Sequence, residues 1–140
     1  GDAEVSVADY DFILDNHNYY YRIFGTPKLS VPEREHIIGL YMSTLIRDEG
    51  ELQIGIGALG DAFVNALLIR QNNNPKYQKA LQALQVARFS EAIGLVGATD
   101  TFSKGLFGAS EMVVDGFLNL YEAGILKRMV YPYSGSSTPA

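Results

Sequence analysis

Glu51-Leu52-Gln53-Ile54-Gly55-Ile56-Gly57-Ala58-Leu59-Gly60-Asp61 is the stretch on which the reading of this chain turns. From Glu51 to Ile56 the residues alternate with period two, which predicts a half-buried or central strand. From Asp61 to Arg70 the apolar residues Ala62, Phe63, Ala66, Leu67 and Ile69 recur at helical spacing and predict a helix. Between the two lie Gly55, Gly57 and Gly60. Glycines there let the backbone come close to a ligand, and the helix start offers unpaired N–H groups to an anion. The pattern is literally G-x-G-x-x-G between a strand and a helix, the context of a dinucleotide site. A Rossmann site also needs an acidic residue on a second strand about 20 residues further on. Pro75-Lys76-Tyr77-Gln78-Lys79-Ala80-Leu81-Gln82 stands there instead, helical in pattern and without an acid. The nicotinamide reading is therefore disfavoured. A plain structural turn and some other phosphate- or carbonyl-binding role stay open.

Toward the N-terminus, Ser30-Val31-Pro32-Glu33 reads as a capping box with Pro in the first turn. Ile37, Ile38, Leu40, Tyr41, Leu45 and Ile46 then predict a helix that runs to Arg47 and stops at Gly50. Residues 1–29, rich in Asp, Asn and Tyr, read as an arm or interdomain linker. The tyrosines of Tyr19-Tyr20-Tyr21 have acidic neighbours, so they predict packing against another surface and not base stacking. Toward the C-terminus, Asn72-Asn73-Asn74-Pro75 ends the second helix and Tyr77–Ala87 predicts a third. Residues 90–104 are mixed and receive no assignment. Gly105–Ala109 predicts a short strand, Val113–Ala123 a helix capped by Gly124, and Met129–Tyr131 another strand. Strands alternating with helices argue for an α/β fold with a mostly parallel sheet and flanking helices. The organisation expected is an arm over 1–29, an α/β domain over 30–133 and a flexible tail over 134–140.

Composition narrows the function classes. The chain has 140 residues, 47% of them hydrophobic and 19% charged, which fits one packed domain and excludes a disordered chain. Its formal net charge of −5 gives no footing for nucleic-acid binding. It has no cysteine, which removes disulfides, thiolate metal sites and cysteine nucleophiles, and fits the cytoplasm. No apolar run approaches the roughly 18 residues of a membrane span. His17 and His36 stand far apart, so no metal site is expected. Asp9, Asp11 and Asp15 lack the glycine and closing Glu of a calcium loop. Lys76, Lys79, Lys127 and Arg128 read as solvated charges, with Lys127-Arg128 a weak candidate for a nucleotide phosphate.

A second motif is Gly105-Leu106-Phe107-Gly108-Ala109-Ser110-Glu111-Met112-Val113-Val114-Asp115-Gly116. It sets one carboxylate where a strand hands over to a helix. Alone, Glu111 reads as an ordinary first-turn Glu with Ser110 as N-cap, stabilised by the helix's positive end. Gly108-Ala109-Ser110-Glu111 lacks the closing glycine of a nucleophile elbow, which disfavours a serine hydrolase.

Together the two motifs resemble the acetyl-CoA hydrolase/transferase family of CoA-transferases. Leu52 through Ala62 is similar to that family's glycine-rich strand-turn-helix. Gly105 through Gly116, followed by Tyr121-Glu122-Ala123-Gly124-Ile125, is similar to its catalytic segment, where a Glu-Met pair precedes Asp-Gly. The resemblance runs from about residue 9 to 132. It implies a partial CoA-transferase α/β domain with Glu111 as the nucleophile that forms a glutamyl-CoA thioester. It also implies that Gly55, Gly57 and Gly60 form the CoA or oxyanion site. Many family members carry Pro where this chain has Gly60, a departure that loosens the loop geometry carried over. Coenzyme A would be substrate and product, with no tightly bound cofactor and no metal. The expected partners are acyl-CoA and small carboxylic acids, without nucleic acid or membrane, and self-association is compatible with the Tyr-rich arm. Family members are longer, so the resemblance implies a middle portion that bears the nucleophile but does not turn over alone. The alternatives are a non-catalytic CoA- or nucleotide-binding α/β module and a structural interaction domain.

Overall fold

A computed structural model describes residues 4–19, 25 and 28–128. The order of its main elements is α1 (Glu33–Ser43), β1 (Glu51–Gln53), α2 (Ala58–Asn72), α3 (Asn74–Ala83), α4 (Ser90–Val96), β2 (Phe107–Ala109) and α5 (Asp115–Glu122). Short 3-10 turns lie at Val7–Asp9, His17–Tyr19 and Val86–Phe89. Among the described residues, five α-helices thus accompany a two-stranded sheet, a mixed α/β arrangement. β1 and β2 pair in parallel, with Glu51 opposite Phe107, Leu52 opposite Gly108 and Gln53 opposite Ala109. A bridge from Leu106 to Leu126 extends the sheet by one further parallel contact.

α2 is the element against which α1, α3 and α5 all pack. Ala62, Phe63, Val64, Ala66 and Leu67 are all buried, so most of its length faces protein. Leu52 and Ile54 from the β1 end, Phe102, Leu106 just before β2, Val114 and Leu120 around α5, and Ile125 complete the main core. Each such side chain contributes roughly 1.5–3 kcal/mol through removal from water. α1 lies close against α2 at buried Gly39, where a Cβ would stand 2.7 Å from the Ala62 carbonyl oxygen. A smaller cluster of Tyr77, Leu81 and Val86 joins α3 to Leu40 and Tyr41 of α1.

The knot at the end of α1 was not legible from periodicity. The predicted helix to Arg47 stops at Ser43. Ser43 Oγ donates to the Leu40 carbonyl and Thr44 Oγ1 to the Tyr41 carbonyl, drawing the last turn onto itself. The fully buried Arg70 then reaches over from α2. Its Nη1 donates to the carbonyls of Ser43 (2.8 Å) and Ile46 (2.6 Å), its Nε to that of Asp100 (2.6 Å). The guanidinium lies 4.2 Å from the centre of the Phe102 ring. Burial pushes the Arg70 pKa down, opposed by the electrostatic effects of Tyr77, Asp100 and Asp48.

Other boundaries differ from the sequence reading for local reasons. Ser30 does not cap α1: the N-cap is Pro32, which makes no side-chain cap bond. The Asn-Asn-Asn-Pro run ends one helix and starts the next, because Asn73 accepts from Lys76 N–H and Pro75 sits in the first turn of α3. α3 closes at Ala83, ahead of the predicted Ala87, where Gln85 turns into the left-handed region with φ 53°. The predicted strand at Met129–Tyr131 and the tail over 134–140 lie outside the described residues, as does most of the tyrosine run. Among the described residues no helix is long and apolar enough to cross a membrane.

Candidate functional site

β1 and β2 pair in parallel, so their C-terminal ends share one edge of the sheet, and both sequence motifs pass through it. In open parallel sheets, ligands bind in the crevice beyond the carboxyl ends of the strands. β1 leads into Ile54-Gly55-Ile56-Gly57 and then α2. β2 leads into Ser110-Glu111-Met112-Val113-Val114 and then α5. A cleft of about 120 Å³ is lined by Gln53, Ile54, Gly55 and Ile56 from the first connection and Ser110, Glu111 and Met112 from the second. A smaller recess of about 30 Å³ adjoins it through the shared Gly55 and Ile56, with Gly57, Asp61, Val114, Asp115 and Lys28 completing its wall. Lys28 Nζ and Asp115 Oδ2 are 3.5 Å apart across that recess, both well exposed.

The three glycines have separate parts. Gly57 is the N-cap of α2, with φ 137° and ψ 164°, backbone that only glycine adopts without strain. Gly60 sits in the first turn of α2. A Cβ there would lie 2.7 Å from the Gly55 carbonyl oxygen and 3.3 Å from Ile54 Cγ2, so the helix closes tightly onto the strand end. Gly60 lines neither recess. Gly55 is exposed, and a Cβ built on it would meet nothing within 4 Å. It lines both recesses.

Glu111 does not start a helix. It lies in a bend four residues before α5, whose N-cap is Val114, so neither the first-turn position nor the Ser110 N-cap holds. Asp115 is the first-turn acid of α5. Glu111 is exposed, and its carboxylate has no hydrogen-bond or ion-pair partner among the described residues. Ser110 is tied instead to the other motif: its Oγ lies 3.1 Å from the Ile54 carbonyl oxygen, across 56 positions of sequence, and 2.5 Å from that of Met112. The predicted strand to Ile56 ends at Gln53 because its partner register ends at Ala109.

The remaining candidates lie elsewhere. Lys127 Nζ donates to the Ser103 carbonyl at 3.1 Å, and Arg128 donates to the carbonyls of Glu49 and Gly50. Both belong to the opposite end of the strand pair, away from the glycine turn. His17 lies in the arm and His36 in α1, and no group of three or more His, Cys, Asp or Glu among the described residues is placed to hold a metal ion. Residues 74–83, where a Rossmann reading needs a second strand, are helical. Periodicity missed Gln53, Ile54 and Met112 as cleft walls, and Lys28 as a neighbour of Asp115. Gln53, Ile54 and Met112 stand inside the two motifs, which was their signal in sequence; Lys28 had none. No family model, no curated protein and no solved structure matches the chain.

Proposed function

We propose that this chain carries the nucleophile of an acyl-CoA hydrolase/CoA-transferase acting on short acyl-CoA thioesters, within a CoA-transferase-like α/β domain. One observation carries the reading: Glu111 and the Gly55 turn, remote in sequence, line the same cleft at the carboxyl ends of two parallel strands. An exposed carboxylate without a partner is free to attack, and an adjacent open glycine admits a planar thioester. The cleft is small, about 120 Å³, and in this reading holds the short acyl group alone. The bulk of coenzyme A lies outside it in this reading.

In the reaction, a Glu111 carboxylate oxygen attacks the thioester carbonyl and the C–S bond breaks. The products are a mixed anhydride and CoA thiolate. The thiolate attacks the Glu111 carbonyl carbon, expels the substrate's acyl group as a carboxylate and leaves a glutamyl-CoA thioester. An acceptor carboxylate reverses these steps, or water hydrolyses the thioester to free CoA and restores Glu111. The backbone N–H groups at Gly55 and Gly57 are the donors in this reading for the oxyanion that forms at each attack. Gly60 serves by holding that turn against the helix. A cytoplasmic location and a place as part of a longer enzyme go with the proposal.

The test is peptide mass mapping of the full-length protein after incubation with acetyl-CoA, with Glu111→Gln alongside. A CoA adduct is expected on the peptide containing Glu111 and absent from the variant, which also loses acyl exchange. Coenzyme A binding without an adduct would instead support a non-catalytic CoA- or nucleotide-binding module.

A further inference from the structure

Backbone register between β1 and β2 ends at Gln53 and Ala109, one residue short of Ser110 and two short of Glu111. A side chain extends the connection. The Ser110 hydroxyl stands between the Ile54 carbonyl, 3.1 Å away on the glycine-turn side, and the Met112 carbonyl, 2.5 Å away on its own segment. One hydroxyl thus holds the residue before Glu111 to the residue after it, and both to the wall of the cleft. Its single proton is shared between two acceptors, so the clamp is local and depends on that oxygen alone. Ser110, Glu111 and Met112 are all exposed, so the fold's core does not impose the bend.

We propose that Ser110 is a positioning residue for Glu111: its hydroxyl pins the 110–112 bend to the Ile54 carbonyl and thereby aims the Glu111 carboxylate into the cleft beside Gly55. The inference rests on the acyl-transfer reading of Glu111. It gives a role to a serine that is neither a nucleophile nor a helix cap. Near-attack geometry is demanding, and a displacement of about 1 Å can cost roughly 100-fold in rate. Losing the clamp should therefore slow the attack without weakening capture of coenzyme A, the bulk of which the acyl-transfer reading puts outside the cleft.

The experiment follows the rate of CoA-adduct formation on Glu111 in full-length wild type, Ser110→Ala and Ser110→Thr, with KM for acetyl-CoA and Tm measured alongside. Ser110→Ala should form the adduct about 10- to 100-fold more slowly, with KM within about twofold of wild type. Its Tm should stay within about 2 °C. Ser110→Thr, which keeps the hydroxyl, should recover most of the rate. An unchanged rate in Ser110→Ala, with wild type forming the adduct, overturns this proposal alone. So does a loss of folding in Ser110→Ala, or an equal rate loss in Ser110→Thr. No adduct in wild type overturns the nucleophile assignment and this proposal with it.

Discussion

Two carboxylates stand at opposite ends of the same strand pair, and the fold treats them in opposite ways. Asp48, just before β1, accepts from the backbone N–H groups of Ser103 (3.0 Å), Lys104 (2.9 Å) and Gly105 (2.8 Å). Partial burial acts to raise its pKa, but the hydrogen bonds from Lys104, Gly105 and Ser103 together outweigh that and hold it at about 2. Glu111, just after β2, faces a cleft with no such partners among the described residues. One acid fastens the segment leading into β2 to the start of β1. The other is held out by the bend at Ser110. A carboxylate whose lone pairs are already engaged is a structural fastener, and one left open at the carboxyl ends of parallel strands is available for chemistry.

The contrast can be broken most severely at the glycine turn that faces Glu111. Gly60→Val forces a side chain onto the Gly55 carbonyl oxygen, 2.7 Å from the ideal Cβ position, and should cost about 3 kcal/mol of unfolding free energy in a denaturant titration. Gly57→Ala comes next. Its φ of 137° is hostile to any side chain, so about 2 kcal/mol should be lost, together with affinity for coenzyme A if the turn contacts it.

The sharpest form of the comparison makes the same amide substitution at each acid. Asp48→Asn replaces a charged acceptor by a weaker one and should cost about 1 kcal/mol. Glu111→Gln should change stability by less than about 0.5 kcal/mol while removing adduct formation. pH gives an independent handle. Because the folded-state pKa of Asp48 lies at about 2, below its ordinary 3.8, its contribution is complete above the ordinary value and is lost as pH falls toward 2. Stability measured between pH 5 and 2 should therefore decline less steeply in Asp48→Asn than in wild type.

Much of the architecture around the site was legible because it is local. Alternation over Glu51–Ile56 and helical spacing over Asp61–Arg70 located β1 and α2, although the strand is three residues long. Gly105–Ala109 located β2, and Val113–Ala123 located α5 with its start two residues early. The misses share a cause. A capping box at Ser30 and an N-cap at Ser110 are good local patterns, yet Pro32 and Val114 occupy those cap positions. α1 loses its predicted last turn to Arg70, an interaction spanning 27 and 24 positions that no periodicity encodes. Residues 90–104 gave no clear pattern because α4 is only seven residues long and carries no buried side chain to set a stripe.

The sequence by itself determined the order and kind of α1, β1, α2, α3, β2 and α5, the glycine-rich turn after the first strand and the single acid after the second, because these depend on neighbours along the chain. Only the tertiary structure decided that the two motifs share a cleft. That follows from the parallel register of Gln53 with Ala109 and the reach of Ser110 to Ile54, contacts across 56 positions that exist only once the strands pair and the core they share with α2 is formed.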